Sequence, residues 1–437
     1  MQKSAVSIGI IGFGTVGTGV ARLLLEKQGE LRRRLGFPLI LTKIADIDVK
    51  RNRAIKLPGG ILINDAKSLI NNPDIDIVVE LIGGIHPAKE LVLEAIKKGK
   101  HVITANKALL ATEGTDIFSA AMERNVEVGF EASVAGGIPI IKIVREALIA
   151  NNIQSVYGII NGTSNYILTK MTTEGIEFSD ALKGAQALGY AEADPTFDIE
   201  GIDSAHKLAI LASLSFGVPF SFKKIFIEGI THISPLDINF ASELGYKIKL
   251  LAVAKQSANE VELRIHPTML PKGHLISSVD GVFNAVYVEG DAIGPALYYG
   301  RGAGEMPTAS AVLSDTVDIA RNIKSGSIGR IRGLGMPERS DIKIKNIENV
   351  LCRYYFRFSA IDKPGVLSKI SGILGAHNIS IKSVIQKVRK REKAVPLVMM
   401  THEAREKDVV YALKKIDRLP VVSGKTMFIR VEGEEDN

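Results

Sequence analysis

The stretch AEADPTFDIEGIDSAHK, residues 191–207, concentrates side chains that could transfer protons or hold a cation. It places several carboxylates ahead of a histidine and a lysine: Glu192, Asp194, Asp198, Glu200, Asp203, His206 and Lys207. Asp203 and Lys207 are four positions apart on a predicted helix, so they lie on one face of it. The rest of that helix is largely apolar, which favours a buried pair over a surface ion pair. A buried lysine is suited to donate and accept protons.

The acids that precede this pair predict two different roles. Glu192 and Asp198 would form a cation-selective subsite, suited to the ammonium group of an amino acid. Asp194 precedes Pro195 and is typical of turn chemistry, and Glu200 is expected to be solvated. The alternative for the whole stretch is a solvated acidic loop with no ligand.

A strand, a glycine-rich turn and a helix open the chain. Residues 5–17, AVSIGIIGFGTVG, are apolar up to a Gly-x-Gly-x-x-Gly spacing, and the candidate cofactor-binding residues of the turn are Gly12, Phe13, Gly14, Thr15, Val16 and Gly17. The first glycine permits a tight turn, the second lets the backbone approach a pyrophosphate, and the third lets helix and strand pack closely. The helix N-terminus then offers N–H groups to phosphates. This pattern predicts a dinucleotide cofactor, with a tight turn that binds nothing as the alternative.

The second predicted strand, PLILTKIAD, ends in an acid, Asp46. A carboxylate at this position suits the ribose hydroxyls of NAD. Lys50, Arg51 and Arg53 follow closely, however, and could meet the 2′-phosphate of NADP. The cofactor is therefore predicted to be NAD or NADP, with the choice between them open.

Composition limits the class of protein. The chain has 437 residues, of which 46% are hydrophobic and 24% charged, so we expect a soluble protein of two to three domains. The sequence contains no run of about 18 apolar residues, so we expect no membrane span. The N-terminus does not have the pattern of a signal peptide. The single cysteine, Cys352, excludes an internal disulfide and a multi-cysteine metal site, and it fits a reducing cytoplasm.

The net charge of +7 does not indicate nucleic-acid binding, because of where it lies. Residues 350–437 hold 17 Lys and Arg against 10 Asp and Glu, which accounts for the whole excess. These basic residues are interleaved with acids and are not clustered with aromatic residues that could stack on bases. We therefore expect no nucleic-acid partner and no membrane partner.

The order of predicted elements indicates three domains. Strands and helices alternate over residues 1–136, which predicts an α/β fold with a Rossmann-like, doubly wound parallel sheet. Residues 137–320 predict an α+β catalytic and dimerisation domain that begins with a long helix, GIPIIKIVREALIANN, and continues with mostly antiparallel strands; its segment 300–322 is expected to pack back on the first domain. A polar linker at 321–349 leads to residues 350–432, whose βαββαβ order is typical of a ferredoxin-like domain.

Several motifs together resemble one enzyme family. The segments GFGTVG, TANKALLA, EASVAGGIPII, NGTSNYIL and LGYAEADPTFDIEGIDSAHK are similar to those of homoserine dehydrogenase, and the resemblance spans residues 6–320. The DKPGVL turn in 350–432 resembles an ACT domain, so the layout is that of the monofunctional bacterial enzyme. The resemblance implies NAD(P)-dependent, reversible reduction of L-aspartate 4-semialdehyde to L-homoserine, in threonine, methionine and isoleucine synthesis.

The resemblance also implies roles for individual residues. Lys207 corresponds to the acid/base lysine of the family, and Asp203 to its acidic helper. Glu192 corresponds to the glutamate that binds the substrate amino group, and Asp198 is a further active-site acid. Lys107, in TANK, matches the lysine beside the nicotinamide and the substrate.

Two further sites are implied by resemblance alone. Gly302, in GRGAGEMPT, matches a glycine that contacts the cofactor. A monovalent cation site for sodium or potassium, built mostly from backbone oxygens, maps to Glu131, Val134, Gly136 and Ile138. One departure concerns the cofactor: many members carry Arg before the acid that ends the second strand, whereas Ala45 precedes Asp46 here, which favours NAD or dual use.

The ACT-like domain implies feedback by threonine or a related amino acid. Its expected ligand contacts are Asp362 and Gly365 in the DKPGVL turn, and Asn378 at a helix end. The alternative is that the domain serves only oligomerisation. Because isolated ACT units usually pair, we expect at least a homodimer, or a homotetramer. Truncation near residue 345 is expected to give an active, threonine-insensitive enzyme.

Three rival functions would each require different residues. Aspartate-semialdehyde dehydrogenase needs a nucleophilic cysteine, and Cys352 lies outside the predicted catalytic core. Another amino- or hydroxy-acid dehydrogenase would use a histidine, for which His86, His101 and His206 are the candidates. A non-catalytic sensor of nucleotide and amino acid is the rival from another class, and the Asp203–Lys207 pair argues against it.

Overall fold

The computed structural model describes residues 4–331, 333–334, 339, 341–386 and 394–433. Parts of the predicted linker (332, 335–338 and 340) and of the predicted C-terminal domain (387–393) lie outside the described residues. The chain divides into two compact units. The first unit comprises Met1–Val156, Ala205–Lys223 and Phe283–Ile342, and the second comprises Tyr157–Ser204, Lys224–Val282 and Lys343–Asn437. Among the described helices, none is long and apolar enough to cross a membrane.

A parallel sheet with flanking helices forms the first part of the chain. Its elements in order are β1 (Val6–Ile11), α1 (Thr15–Glu26), α2 (Gln28–Leu35), β2 (Leu39–Ala45), β3 (Leu62–Ile63), α3 (Ala66–Asn71), β4 (Ile77–Glu80), α4 (Ala88–Lys97), β5 (His101–Thr104), α5 (Lys107–Glu123), β6 (Val128–Gly129) and α6 (Ile140–Lys142). The strand order is β3-β2-β1-β4-β5-β6, with parallel pairing throughout. This is the order of a doubly wound dinucleotide-binding sheet, so the predicted fold class is confirmed.

The prediction of one long helix after Gly137 is wrong. The helix α6 begins only after Pro139 and passes at once into a π-helical turn, Ile143–Ala147. The N–H of Leu148 donates to the carbonyl of Ile143 at 2.9 Å, and the chain leaves the helix there. The apolar residues of this segment are compatible with a helix. A π-helical turn is wider than an α-helical turn, however, so the segment does not continue as a regular α-helix.

The middle of the chain is mixed. Its elements are β7 (Ile153–Ile159), α7 (Gly162–Glu174), α8 (Phe178–Ala187), α9 (Thr196–Ile199), α10 (Ile202–Phe216), β8 (Phe226–Ile227), α11 (Pro235–Glu243), β9 (Tyr246–Ser257), β10 (Glu260–Pro271), β11 (Phe283–Gly290), β12 (Gly294–Arg301) and α12 (Glu305–Ser325). The pairs β9–β10 and β11–β12 are antiparallel, as predicted. Within the first unit, α12 packs so closely on α1 that a Cβ on Gly19 would lie 2.9 Å from the side chain of Glu305.

The C-terminal part has the predicted ferredoxin-like order. Its elements are β13 (Lys343–Ile344), β14 (Leu351–Ile361), α13 (Val366–Ala376), β15 (Ile381–Ile385), β16 (Ala394–Thr401), β17 (Ala404–Arg405), α14 (Glu406–Ile416) and β18 (Met427–Val431). The strands are arranged β18-β14-β16-β15 with antiparallel pairing. Alternate residues of β14, among them Tyr354, Phe356 and Phe358, are fully buried in a core of their own.

One strand pairing was not predicted from the sequence. Within the second unit, β18 pairs in parallel with β10, through Thr268 with Arg430 and Met269 with Val431. The ferredoxin-like sheet is therefore continuous with β9 and β10 of the preceding domain. The short strand β8 also pairs in parallel with β10.

Candidate functional site

The glycine turn after β1 has the geometry that its sequence predicts. Gly12 has φ +99°, and a Cβ on it would lie 2.7 Å from the carbonyl carbon and oxygen of Leu81. A Cβ on Gly17 would overlap the carbonyl oxygen of Gly12, so helix and turn touch through backbone. Around Gly14, by contrast, a Cβ would meet nothing within 4 Å. The turn is therefore closely packed at Gly12 and Gly17, whereas the backbone at Gly14 is open to an approaching ligand.

The first turn of α1 faces the same space. The helix begins at Thr15 with Gly14 as its N-cap, and no side chain caps it among the described residues. The first N–H groups of a helix have no partner within the helix, and here they belong to Thr15, Val16 and Gly17. Together with the helix dipole they make this end suitable for an anion such as a phosphate.

An arginine that follows β2 ties the acid at the end of that strand to the glycine turn. Asp46 accepts the N–H of Phe13 at 2.6 Å and pairs with Arg53 at 3.0 Å. Arg53 also donates through Nε to the carbonyl of Phe13 at 2.5 Å, and its guanidinium lies 4.7 Å from the centre of the Phe13 ring. The arginine side chain is only 7% exposed. The sequence indicates Arg53 only as a possible contact for the 2′-phosphate. It does not show that Arg53 also binds Phe13 in the glycine turn.

These groups border one cavity of about 660 Å³. Its lining includes Gly12, Phe13, Gly14, Asp46, Arg51, Arg53, Ile82, Gly83 and Pro87. A bare glycine backbone, a helix N-terminus and an acid–arginine pair at the carboxyl ends of parallel strands fit a dinucleotide. The residues predicted from the glycine fingerprint and from the acid ending β2 are thus brought together in the first unit.

A buried glutamate, missed in the sequence, fixes the loops at this edge of the sheet. Glu80 ends β4, is fully buried and accepts the N–H of Ile82 at 2.8 Å. It also accepts the hydroxyl of Thr104, at the end of β5, at 2.6 Å. Burial raises the pKa of Glu80. Lys107 lies just beyond Thr104, at the first position of α5, which Asn106 caps.

The segment predicted to bind a cation contains a buried negative charge. Glu131 is 1% exposed and accepts the N–H groups of Ile141 and Lys142, each at 2.9 Å. Its own N–H donates to the carboxylate of Asp315 at 2.8 Å. Burial and the charge of Asp315 raise the pKa of Glu131 to about 7. Lys142 compensates part of this charge, since its ammonium lies 3.6 Å from the carboxylate of Asp315. A bound monovalent cation would further favour the charged form of the two buried acids.

The backbone beside Glu131 makes an unusually close contact. Gly136 has φ +45°, and a Cβ on it would lie 2.6 Å from the carbonyl oxygen of Gly302. A Cβ on Gly302 would in turn overlap the side-chain amide of Asn284. The buried Oδ1 of Asn284 has no hydrogen-bond partner among the described residues. The predicted cation segment, including Val134 and Ile138, which are buried, and Gly302 are thus neighbours.

The helix α10 carries the predicted proton-transfer pair. Asp203 is 5% exposed and Lys207 is 9% exposed, one turn further along the same helix. The apolar composition of this helix predicted that both side chains are buried, and the structure agrees. Burial of two ionisable groups is costly unless they are paired or hydrogen-bonded. Their presence in a buried helix therefore favours a functional role over that of a surface ion pair.

Asn161 joins two of the acids, and sequence reasoning had given it no role. Its Nδ2 donates to Asp198 at 2.7 Å and to Asp203 at 2.9 Å. Its Oδ1 accepts the N–H of Ser164 at 2.8 Å and caps α7. The same side chain therefore begins a helix and holds two carboxylates. The available signal was the asparagine in NGTSN, because asparagine is a preferred residue at a helix N-cap.

The remaining acids of the stretch lie nearer the surface. Glu192 is exposed, and its backbone carbonyl accepts the amide of Gln186 at 3.1 Å. Asp194 accepts the N–H and the hydroxyl of Thr196, which lowers its pKa, and this is the predicted turn chemistry. Glu200 is half-buried rather than solvated.

The groups that rival functions would need have structural roles. His86 is exposed and pairs with Glu90, while the ring of His206 stacks on Phe222 at 4.2 Å. His101 is buried, which lowers its pKa to about 4, and its Nδ1 accepts a backbone N–H. Cys352 is buried in β14, and burial raises the pKa of its thiol to about 12. Such a thiol is a poor nucleophile.

Three family models match successive parts of the chain. The NAD-binding domain of homoserine dehydrogenase matches residues 12–131, homoserine dehydrogenase matches 139–317, and the ACT domain matches 354–421. The second of these ranges contains Lys207 and the acids that Asn161 joins.

Individual relatives match nearly the whole chain. Homoserine dehydrogenase of Pseudomonas aeruginosa is 48% identical over 431 residues, which cover 98% of this chain and 99% of the relative. The crystal structure of a homoserine dehydrogenase from Thiobacillus denitrificans is similar with a TM-score of 0.93, at 48% identity over 98% of each chain. A hyperthermophilic archaeal homoserine dehydrogenase in complex with NADPH has a TM-score of 0.60 and 27% identity, over 72% of this chain and 97% of that chain.

Proposed function

We propose a role in catalysis or binding for each residue of the candidate site. The chain belongs to the homoserine dehydrogenase family. The resemblance carried by the sequence motifs is confirmed by these matches. The protein is an NAD(P)-dependent oxidoreductase that interconverts L-aspartate 4-semialdehyde and L-homoserine, a step of threonine, methionine and isoleucine synthesis. The observation that carries the division of roles is the buried Asp203 and Lys207 on one helix, with Asp198 joined to Asp203 through Asn161.

Lys207 handles the proton. In the reductive direction its ammonium donates a proton to the oxygen of the aldehyde as that oxygen gains charge. In the oxidative direction the neutral amine accepts the hydroxyl proton of homoserine. Asp203, one turn earlier on α10, would favour the charged form of the lysine through its own negative charge. A bound nicotinamide dinucleotide supplies or accepts the hydride.

The other acids hold the amino end of the substrate. Glu192 and Asp198 offer carboxylates to its ammonium group, and Asn161 fixes the direction of Asp198. Lys107 lies at the start of α5, at the carboxyl edge of the parallel sheet. Its ammonium would orient the reacting group of the substrate beside the nicotinamide.

The cavity at the glycine turn would hold the dinucleotide. Thr15, Val16 and Gly17 offer N–H groups to its phosphates, and Gly14 leaves room for their approach. Asp46 would accept the ribose hydroxyls of NAD, while Arg53, which compensates the charge of Asp46, would tolerate the 2′-phosphate of NADP. We propose dual cofactor use on this ground. The hyperthermophilic archaeal homoserine dehydrogenase is in complex with NADPH, which is compatible with dual use.

Glu131 and nearby backbone carbonyls would hold a monovalent cation. The candidate oxygens belong to Val134, Gly136 and Ile138, as the sequence resemblance implied. No cluster of three or more His, Cys, Asp or Glu side chains suited to a metal occurs in the described part of the chain. A site made chiefly from carbonyl oxygens suits a hard cation of low charge such as sodium or potassium. The ion would fix the contact between the backbones of Gly136 and Gly302.

The ACT domain would bind an amino-acid effector, threonine being our candidate. The buried Oδ2 of Asp362 has no hydrogen-bond partner among the described residues, and could accept an ammonium group. Gly365 has φ +84° with open space around it, and Asn378 has φ +58°. Both residues are exposed, so a small ligand could reach them. We further propose the three-domain division given above, a homodimer or homotetramer, and a cytoplasmic enzyme.

The test is homoserine-dependent reduction of NAD and of NADP near pH 9, in the wild type and in Lys207→Ala. The wild type should turn over with both cofactors, and the variant should lose about 10²- to 10⁴-fold in rate. Lys170→Ala is the matched control, because Lys170 pairs with Glu174 in an exposed i,i+4 arrangement. Equal activity of Lys207→Ala and Lys170→Ala would refute the assigned role.

A further inference from the structure

The acids assigned to the substrate rest on a short segment of the same unit. We name residues 198–203 the acid segment and residues 226–231 the floor segment. The N–H of Ile230 donates to the carbonyl of Ile199 at 2.9 Å. A Cβ on Gly229 would lie 2.6 Å from that carbonyl oxygen and 2.5 Å from Oε2 of Glu200. The two segments therefore touch backbone to backbone, and a shift of the floor segment must shift the acid segment.

A second glycine makes the contact tight from the other side. Gly201 has φ +82°, and a Cβ on it would lie 2.9 Å from the side chain of Ile265 and 3.3 Å from that of Ile227. Ile227 belongs to β8, which pairs in parallel with β10 at Ile265. The acid segment is thus seated on β8 and β10 just before Asp203, with no space for adjustment.

Arg430 of the ferredoxin-like domain holds β8 at both ends. Its Nη1 donates to the carboxylate of Glu228 at 2.8 Å, directly after β8. Its guanidinium carbon lies 4.8 Å from the ring centre of Phe226, the first residue of β8. The arginine is 1% exposed. A buried guanidinium with a charge partner and a ring partner has little freedom to move.

The other side of Arg430 is anchored within the ferredoxin-like domain. Its Nε and Nη2 donate to the two carboxylate oxygens of Glu406 at 3.0 and 2.5 Å. Glu406 begins α14 and also accepts the hydroxyl of Tyr354, on β14, at 2.7 Å. Two elements of that domain therefore determine where the guanidinium sits.

We propose that Arg430 is a positioning residue through which the ACT domain determines the positions of Asp198 and Asp203. It holds the floor segment through Glu228 and Phe226, and the floor segment seats Asp198 and Asp203 against Asn161. This inference rests on the proposed function, since Asp198 is assigned there to the substrate and Asp203 to Lys207. A movement of β18 would then change affinity for the amino-acid substrate while affinity for the cofactor stays the same.

The test compares Glu228→Gln and Gly229→Ala with the wild type in homoserine oxidation. Each variant should raise the KM for homoserine roughly tenfold and leave the KM for the cofactor unchanged. Gly273→Ala is the matched control, because a Cβ there meets nothing within 4 Å and, like Gly229, its φ lies outside the left-handed region. Arg430→Lys, which keeps the charge but loses the planar fork, should show a smaller rise than Arg430→Gln.

Unchanged homoserine KM in Glu228→Gln and Gly229→Ala would overturn the positioning role. If one of these variants does not fold, the other decides alone. Asp198→Asn separates this failure from failure of the proposed function. A raised homoserine KM in Asp198→Asn, with normal values in the floor-segment variants, would reject only the role of Arg430. Normal homoserine kinetics in Asp198→Asn as well would reject the substrate site itself, and with it the basis of the inference.

Discussion

Glu131 should make the stability of the protein depend on pH and on monovalent cations. Its carboxyl pKa is raised from 4.5 to about 7 by burial and by the charge of Asp315. A shift of this size corresponds to about 3 kcal/mol. Between these two pKa values the folded state holds a proton that the unfolded chain has released, so stability falls as pH rises through this window. Above it, the loss is complete.

A bound sodium or potassium ion favours the charged carboxylate, so it should reduce that loss. The pKa of Asp315 is also raised by burial, which adds a loss of the same sign. The assay is thermal unfolding from about pH 5 to pH 8 in potassium, sodium or choline chloride at equal ionic strength, because choline is too large for a site among carbonyl oxygens. Buried His101 and His266, whose pKa values are lowered, act in the opposite direction below about pH 6.5. The quantity to compare is therefore the difference in unfolding temperature between the wild type and Glu131→Gln, which should fall with pH in choline and fall less in potassium or sodium.

Glu131→Gln provides the decisive comparison. The amide keeps the size of the side chain but cannot titrate, so both the loss of stability between pH 5 and pH 7 and the cation effect should shrink. If Glu131→Gln retains the pH dependence and the cation response of the wild type, another group is responsible. A wild type whose unfolding temperature is the same in choline and in potassium at every pH would refute the cation site.

Three further predictions concern the cofactor, the substrate acids and the C-terminal domain. Arg53→Gln should raise the KM for NADP roughly tenfold relative to that for NAD, because it removes a cation and leaves Asp46 uncompensated; equal changes for both cofactors would contradict this. Asn161→Ala should lower kcat/KM for homoserine roughly 10- to 100-fold, since two carboxylates lose their shared donor, and an unchanged value would contradict the role given to that amide. Truncation near residue 345 should lower the unfolding temperature, because it removes β18 from β10 and takes Glu432, at 2.6 Å, away from Arg264, which keeps Glu262 at 3.1 Å; a truncated protein as stable as the full chain would contradict this.

The last of these predictions concerns stability, about which the sequence supported no expectation for the truncated chain. From the domain pattern alone, the ferredoxin-like domain was expected to be dispensable for activity. The structure pairs β18 with β10 and buries Arg264 against Glu432. Parallel pairing between strands about 160 positions apart leaves no local pattern, because each strand shows only its own alternation.

Local sequence patterns predicted the structure best where the backbone geometry permits only one residue type. The glycine spacing at 12–17 predicted a tight turn because no Cβ fits at Gly12 or Gly17. The apolar composition of α10 predicted that Asp203 and Lys207 are buried. The pattern after Gly137, by contrast, predicted one long helix, and this prediction was wrong. Such a pattern cannot distinguish a continuous α-helix from a short helix that widens into a π-helical turn.

Side chains that connect distant segments could not be found in this way. Asn161 follows β7, yet its partners Asp198 and Asp203 come about 40 positions later. Arg53 meets Phe13 across two loops, and Asp315 meets Glu131 from α12. The residue types were visible in the sequence, but only the fold selects which of many acids and bases become neighbours.

Chemical rescue of Lys207→Ala tests the central claim most directly, since that claim is proton transfer by a buried lysine. The variant should bind NAD and NADP as the wild type does but turn over homoserine about 10²- to 10⁴-fold more slowly. Small primary amines should restore part of the rate in proportion to their free-base concentration, because an amine in the space left by the side chain can accept the hydroxyl proton. A variant that retains full activity without added amine would contradict the role of Lys207.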